Sequence, residues 1–204
     1  MTALEHVANV GCEPGQPWPT DRLRKSDVSV HLMSARMANA YAAEHHYLHR
    51  PRVGQRLCYE VQVRGAFMGI LVYARPMVCA PIFGYQPKEI IELARVWFKE
   101  NPKNLGSCAI RASLKRLSKD WPGTKAVISW CDTSRFDGAL YKATGFEYCG
   151  LSRVRSIEPS HAKHAGGRPG RRVQGDRLTP KQRWLIRLSP APTSLALPTG
   201  APEE

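Results

Sequence analysis

AVISWCDTSRFDGALYKATGFEYCG, residues 126–150, is the stretch whose reading decides the fold. It opens on Ala126, Val127, Ile128, Ser129, Trp130 and Cys131, a short apolar run rich in β-branched and aromatic residues, which predicts a buried strand. The run ends on an acid, Asp132, and a polar turn, Thr133, Ser134 and Arg135. A short helix then extends to about Thr144, closed by Gly145 as its C-cap, and Phe146, Glu147, Tyr148 and Cys149 begin another strand. In open α/β folds the loop at the carboxyl end of such a strand is where chemistry is usually placed.

Working outward, residues 107–119 form an amphipathic helix with Ser107, Ile110, Leu114 and Leu117 on one face and Arg111, Lys115, Arg116 and Lys119 around them. Before it, residues 89–98 alternate as a long strand. Ile91, Leu93, Arg95 and Trp97 are expected on one face, and Ile90, Glu92, Ala94, Val96 and Phe98 on the other. Residues 57–63 and 67–73 flank the turn Arg64, Gly65 and Ala66 as a hairpin. Residues 28–33 make a first strand, Ser34 caps an alanine-rich helix over 35–46, and Pro51 forbids its continuation. A late strand is expected over 182–188. The resulting class is α/β (α+β), a largely antiparallel central sheet flanked by helices with at least one βαβ crossover.

The 204 residues suit one domain, expected over 27–188, with a flexible lead-in over 1–26 and a Pro- and Ala-rich, disordered tail over 189–204. No apolar run is long enough to span a membrane and the N-terminus lacks a basic region before an apolar core, so a cytoplasmic location is expected. Six scattered cysteines, without a CxxC pair, read as reduced structural thiols. Thirty Lys and Arg against 17 acids give a net charge of +13. Residues 151–187 hold ten of those cations and only two acids, a balance of +8, and five of the ten lie in a Gly- and Arg-rich loop over 156–177 before the last strand. A protein this basic points to a polyanion, and nucleic acid is the commonest one.

The order of strand, turn, basic helix, strand and then Tyr141, Gly145 and Phe146 resembles the second half of the GNAT acyltransferase fold. Further pieces narrow the resemblance: His46 and Tyr47 after the first helix, ELARVW over 92–97, SWCDT over 129–133, YKAT before Gly145, and KQRW over 181–184. In this order, across residues 28–188, they resemble the Mom family of phage DNA-modification proteins. The resemblance implies a GNAT-like transferase that adds a carbamoylmethyl-type group to the 6-amino nitrogen of adenine in double-stranded DNA and shields that DNA from restriction. The other reading is a GNAT N-acyltransferase acting on a small-molecule or protein amine.

Adenine's amine has its lone pair delocalised into the ring, so positioning and charge stabilisation are expected to contribute heavily. On the resemblance, Asp132 accepts a hydrogen bond from the amine or acts as base; a plain helix cap is the other reading of the same position. Arg95, in an otherwise apolar strand, holds a phosphate or a carboxylate-like group, or forms an internal ion pair with Asp132 or Glu92. His46 is suited to shuttle a proton near neutral pH, and Tyr47 to stack on a displaced base or donate a hydrogen bond. Tyr141 sits where the superfamily uses a tyrosine to protonate a leaving thiolate, or packs beside Phe146. The superfamily's acyl-CoA loop is replaced by NPKNLGS over 101–107, where Lys103, Gly106 and Ser107 suit an anion at a helix N-terminus, and Ser113 is a further donor contact. The donor is thus acyl-CoA or another activated acyl or aminoacyl carrier. Arg168, Arg171, Arg172, Arg177, Lys181 and Arg183 read as phosphate contacts. His45, His46 and His49 lack the glutamate of a metal-binding HExxH, and no metal site is assigned to them.

Overall fold

The structure, a computed structural model, describes residues 22–76, 82–152 and 180–188. The expected basic loop over 156–177, with Arg168, Arg171, Arg172 and Arg177, lies outside those residues, as do the tail, nearly all of the lead-in, Cys12 and Cys79. The elements are β1 (Val28–Leu32), α1 (Ala35–Glu44), β2 (Gln55–Val63), β3 (Ala66–Ala74), β4 (Ile90–Phe98), α2 (Leu105–Asp120), β5 (Ala126–Asp132), α3 (Ala139–Thr144), β6 (Glu147–Leu151) and β7 (Lys181–Arg187).

Seven strands form one sheet in the order β1-β2-β3-β4-β5-β7-β6. All neighbours are antiparallel except β4 and β5, which α2 joins as a βαβ crossover. This is the mixed, largely antiparallel sheet that the sequence predicts. A helix covers each face. Ala38, Tyr41 and Ala42 of α1 pack on Cys58, Ile70 and Val72, while Leu105, Ile110 and Leu117 of α2 pack on Tyr59, Leu71 and Tyr73. Cys58 and Tyr59 are neighbours in sequence and belong to opposite cores, as the strand's two-residue period requires.

Local signals account for the helix ends. Ser34 Oγ accepts the Met37 amide at 3.3 Å as the N-cap of α1. Gly145 closes α3 at φ +91°, a left-handed conformation that favours glycine. Helix α2 begins at Leu105, two residues before the sequence suggests, because Asn104 takes φ +72° and turns the chain into the helix. α3 is confined to six residues behind Gly138, so the turn after Asp132 is longer than the sequence implies.

The strict alternation expected along β4 does not hold. Tyr73 pairs with Leu93 and Val72 pairs with Arg95, so Ala94 is an extra residue in a β-bulge. Past the bulge the faces exchange: Val96 and Phe98 join Ile91 and Leu93 under α2, and Arg95 and Trp97 turn to the α1 face with Glu92.

On that α1 face, Arg52 ties four segments together. Its amide donates to Asn39 Oδ1 of α1 at 3.1 Å, and its guanidinium donates to the Val53 and Arg75 carbonyls and to Glu92 Oε2, the last at 2.8 Å. Arg52 is 8% and Glu92 13% exposed, so a broken pair leaves a charge with little water around it. Burial pushes the Glu92 carboxyl above the usual range, against the opposing pull of Arg52, Arg95 and Lys181. Removing one partner of such a pair costs about 3–5 kcal/mol, whereas replacing both by apolar groups is often close to neutral. Arg52→Met is therefore expected to lose about that much stability in urea unfolding, and Arg52→Met with Glu92→Leu to recover most of it. Equal losses in the single and the double variant would show that the pair does not carry the clamp.

Candidate active site

Strands β4 and β5 pair only over Ile90–Ala126, Ile91–Val127 and Glu92–Ile128. β5 continues to Asp132 against β7, and β4 continues to Phe98 against β3, so the two part from Leu93 and Ser129 onward. Ser129 Oγ stands at the fork, 2.8 Å from the Leu93 carbonyl oxygen. Beyond it a cleft of about 690 Å³ opens, walled by both strands, the first turn of α2, the loop before α3 and the segment that follows α1. Among the described residues the β5-facing edge of β4 past Leu93 has no strand partner, and Ala94, Val96, Trp97 and Phe98 line the cleft.

Of the residues that the sequence nominates, the fold brings His46, Tyr47, Asp132, Tyr141, Gly106 and Ser107 to the cleft wall. Tyr141 reaches it from α3 with its ring against Trp184 and Phe146, at centroid distances of 5.8 and 5.6 Å. Its hydroxyl lies 2.8 Å from Ser129 Oγ. Burial pushes the Tyr141 phenol up to about 12, so the group holds its proton through the physiological range. Its core contacts and a site role are compatible, since ring and hydroxyl do different things.

His46 is buried, and its Nδ1 accepts the Leu48 amide at 3.2 Å, which fixes the proton of the neutral ring on Nε2. Burial first, then the nearby Arg95 and His49 charges, lower its pKa to about 4. The shuttle near neutral pH expected from the sequence is not what this environment gives: His46 is a neutral donor there. Tyr47 is also committed. Its ring meets His46 at 4.4 Å, the Arg135 guanidinium at 5.2 Å and the edge of Phe136 at 5.5 Å. A stacking role for Tyr47 would require those neighbours to move.

Asp132 ends β5 at the rim. Its Oδ1 accepts from the Ser134 amide at 3.0 Å and the Ser134 hydroxyl at 2.7 Å. It caps a turn, and α3 is served instead by Asp137, whose carboxylate accepts the Ala139 amide at 2.9 Å. The helix-cap reading of Asp132 is therefore corrected in detail.

Five nominations fall elsewhere. The bulge turns Arg95 away from the cleft wall; its Nη1 donates to the Ala94 carbonyl at 2.7 Å, and Glu92, proposed as its partner, is held by Arg52. Arg95 Nε is buried with no hydrogen-bond partner among the described residues, and burial, with Arg52 close by, lowers its pKa. Ser113 lies in the core, bonded to the Tyr73 hydroxyl at 2.7 Å and the Ile110 carbonyl at 2.8 Å, and does not line the cleft. Lys103 is exposed before α2, outside the lining. Lys181 and Arg183 lie on β7, where Lys181 is paired with Asp132 and the Arg183 guanidinium sits 5.4 Å over the Phe83 ring. Among the described residues no group of three His, Cys, Asp or Glu is placed to hold a metal.

The cleft also takes residues that the sequence did not single out: Trp97, Phe136, Asn101 and Asn104. At Gly106 the Leu140 side chain fills the space that a Cβ would take, its Cδ1 2.6 Å from that position, so α2 and α3 meet closely beside the cleft.

Comparison with known proteins gives one family and one fold. The model of the Mom protein family matches residues 27–178. No curated protein matches the chain. Among solved structures, aminoglycoside acetyltransferase AAC(6')-Ib in complex with ribostamycin and coenzyme A aligns at 14% identity and a TM-score of 0.52, covering 79% of this chain and 94% of that one. The same enzyme with coenzyme A and kanamycin gives 14% identity and a TM-score of 0.52 over 79% and 95%. At that identity the likeness is one of fold, and it is the GNAT fold.

The buried, neutral His46 makes stability depend on pH with a definite sign. Its folded pKa, about 4, lies below the ordinary imidazole value of 6.5, so the unfolded chain takes up a proton first as pH falls. The contribution is complete above pH 6.5 and is lost between there and pH 4. In His46→Gln the fall of Tm across that window is expected to be shallower than in the wild type; parallel Tm–pH curves would contradict the assignment.

Proposed function

The chain belongs to the Mom protein family, and from that premise we propose that it is a DNA-modifying transferase that adds a carbamoylmethyl-type group to the 6-amino nitrogen of adenine, protecting the DNA that carries it from restriction. The observation that carries this reading is the convergence, in one cleft where β4 and β5 part, of a carboxylate (Asp132), a phenol that keeps its proton (Tyr141) and a neutral imidazole (His46).

Each group has a task that such a transfer needs. Asp132, at the rim, accepts a hydrogen bond from the adenine amine and takes up the proton that the nitrogen loses on bond formation. Tyr141, deeper and protonated, donates to the group that leaves the donor. His46 offers Nε2–H as a fixed hydrogen-bond donor to developing negative charge. Arg95 stands behind His46 and Tyr47 and keeps the local potential positive, which favours the neutral imidazole.

The α2 end of the cleft fits the anionic part of an activated donor. The first-turn amides of a helix have no intrahelical acceptor, Gly106 and Ser107 of that turn line the cleft, and the helix dipole favours an anion there. The free edge of β4 offers main-chain groups to an extended arm. The donor supplies the electrophilic carbon; the chain positions it against the amine.

DNA as the acceptor is supported by charge and by where the charge is attached. The +13 balance is concentrated in residues 151–187. Ser152 and Lys181, on either side of this basic stretch, hydrogen-bond to each other, Ser152 N to the Lys181 carbonyl at 2.8 Å and Lys181 N to Ser152 Oγ at 2.9 Å. Lys181 is in turn the register partner of Asp132. The basic segment thus leaves and rejoins the sheet beside the cleft.

Nucleoside mass spectrometry of DNA from cells expressing the protein tests the reading: a modified deoxyadenosine is expected, absent from control cells. Asp132→Asn keeps the acceptor of the Ser134 turn, and Tyr141→Phe keeps the ring contacts. Each is expected to lower modification about 10²-fold or more, the scale of a lost proton-transfer group. Unmodified adenine, or full modification by both variants, would overturn the proposal or its site respectively.

A further inference from the structure

A base that enters the cleft needs an aromatic face to lie against, and the rings around the cleft differ in whether one is available. Trp97 stacks on His45 at 4.7 Å and 13°, with Tyr41 at 5.9 Å and 19° beside it. Tyr141 lies between Trp184 and Phe146, and Tyr47 is taken up by His46, Arg135 and Phe136. Trp130 has no ring contact but is half-buried against the cluster of Ile128 and Leu185. Among the described residues only Phe136 combines a single ring contact, a T-shaped one with Tyr47, with 50% exposure and a place in the cleft lining.

That exposure is not looseness. The Phe136 amide donates to the Asp132 carbonyl at 2.9 Å, and its own carbonyl accepts from Cys131 Sγ at 3.7 Å. The turn before it is fixed by Ser134 on Asp132, and Thr133 Oγ1 donates to the Pro180 carbonyl at 2.8 Å. The loop after it is fixed by Asp137. A large apolar ring is therefore held in water at the mouth of a cavity, four residues past the carboxylate of the site, by a loop bonded on both sides. Packing gives no reason for this, since a mobile loop would fold the ring inward.

On the reading of the protein as a DNA adenine-modifying enzyme, on which this rests, we propose that Phe136 is the platform on which the extruded base stacks as its amine reaches Asp132. A rigid, pre-set aromatic face loses little freedom on binding, and stacking tolerates any base. Phe136 thus supplies affinity for an unstacked base, and the polar groups deeper in the cleft supply the choice of adenine. It offsets part of the unstacking cost that reaching a base inside a duplex entails.

The test needs no donor. Binding of the full chain is measured by fluorescence anisotropy to a short duplex with one adenine opposite an abasic site, and to the same duplex with abasic sites in both strands. The wild type is expected to favour the first by about ten-fold or more, the range of a base–aromatic contact. Phe136→Ala should lose the preference while binding the base-free duplex unchanged, and Phe136→Trp should keep it. Phe136→Ala retaining the preference, weakening both duplexes alike, or a wild type with no preference overturns the platform and leaves a DNA-binding enzyme. A wild type that binds neither duplex at low salt overturns the function and the platform together.

Discussion

The arrangement depends on a pairing that stops early. β4 and β5 share three register pairs and then separate, because each is committed on its far side: β4 to β3 through Phe98, and β5 to β7 through Asp132. A sheet twists, and two parallel strands held by different neighbours diverge unless their own ladder holds them. Here the ladder is replaced by one hydroxyl, Ser129 Oγ on the Leu93 carbonyl, and the bulge at Ala94 begins just beyond it. The cleft, the free edge of β4 and the positions of Asp132 and Tyr141 follow from that fork.

The protonation states in the cleft follow from burial more than from pairing. Tyr141 and Tyr47 are shifted upward and His46 downward, and desolvation is the largest cause in all three. Removing water from these groups disfavours whichever form is charged, so the two phenols and the imidazole are all neutral together. The same exclusion raises Glu92 and lowers Arg95 on the α1 face, where Arg52 and Glu92 must stay paired to remain charged. A low-dielectric site of this kind strengthens each hydrogen bond aimed at developing charge.

How far the sequence can be read divides along local and non-local lines. Strand and helix positions, the Ser34 cap and Gly145 were legible because each is set by residues within one or two turns. The faces of β4 were not. ELARVW alternates cleanly as text, and only the pairing of Val72 with Arg95 and Tyr73 with Leu93 reveals the inserted residue. Ser113 looks like a polar residue on a basic helix, and its partner, Tyr73, lies 40 positions away. Arg52 is an ordinary loop arginine until Glu92, also 40 positions away, arrives beside it. Among candidate site residues, Asp132 and Tyr141 stood out through short motifs. Phe136 did not, since a loop aromatic carries no signal until its exposure and its anchoring are known.

The departure in the donor loop and the concentration of charge belong to one division of labour. The crossover from β4 through α2 into β5 builds the α2 side of the cleft, where α3 meets α2 closely at Gly106. The other side is built by the segment after α1 and the Asp132 loop, and Asp132 is the register partner of Lys181 at the start of β7. β7 enters the sheet between β5 and β6, so the strand that follows this segment is paired along the full length of β5. On the proposed function, a polyanion attracted to the charge of residues 151–187 would meet the cleft at its Asp132 side, away from the helix N-terminus that favours a smaller anion. Two anions of different size can then occupy opposite ends of one cleft without competing for the same cations.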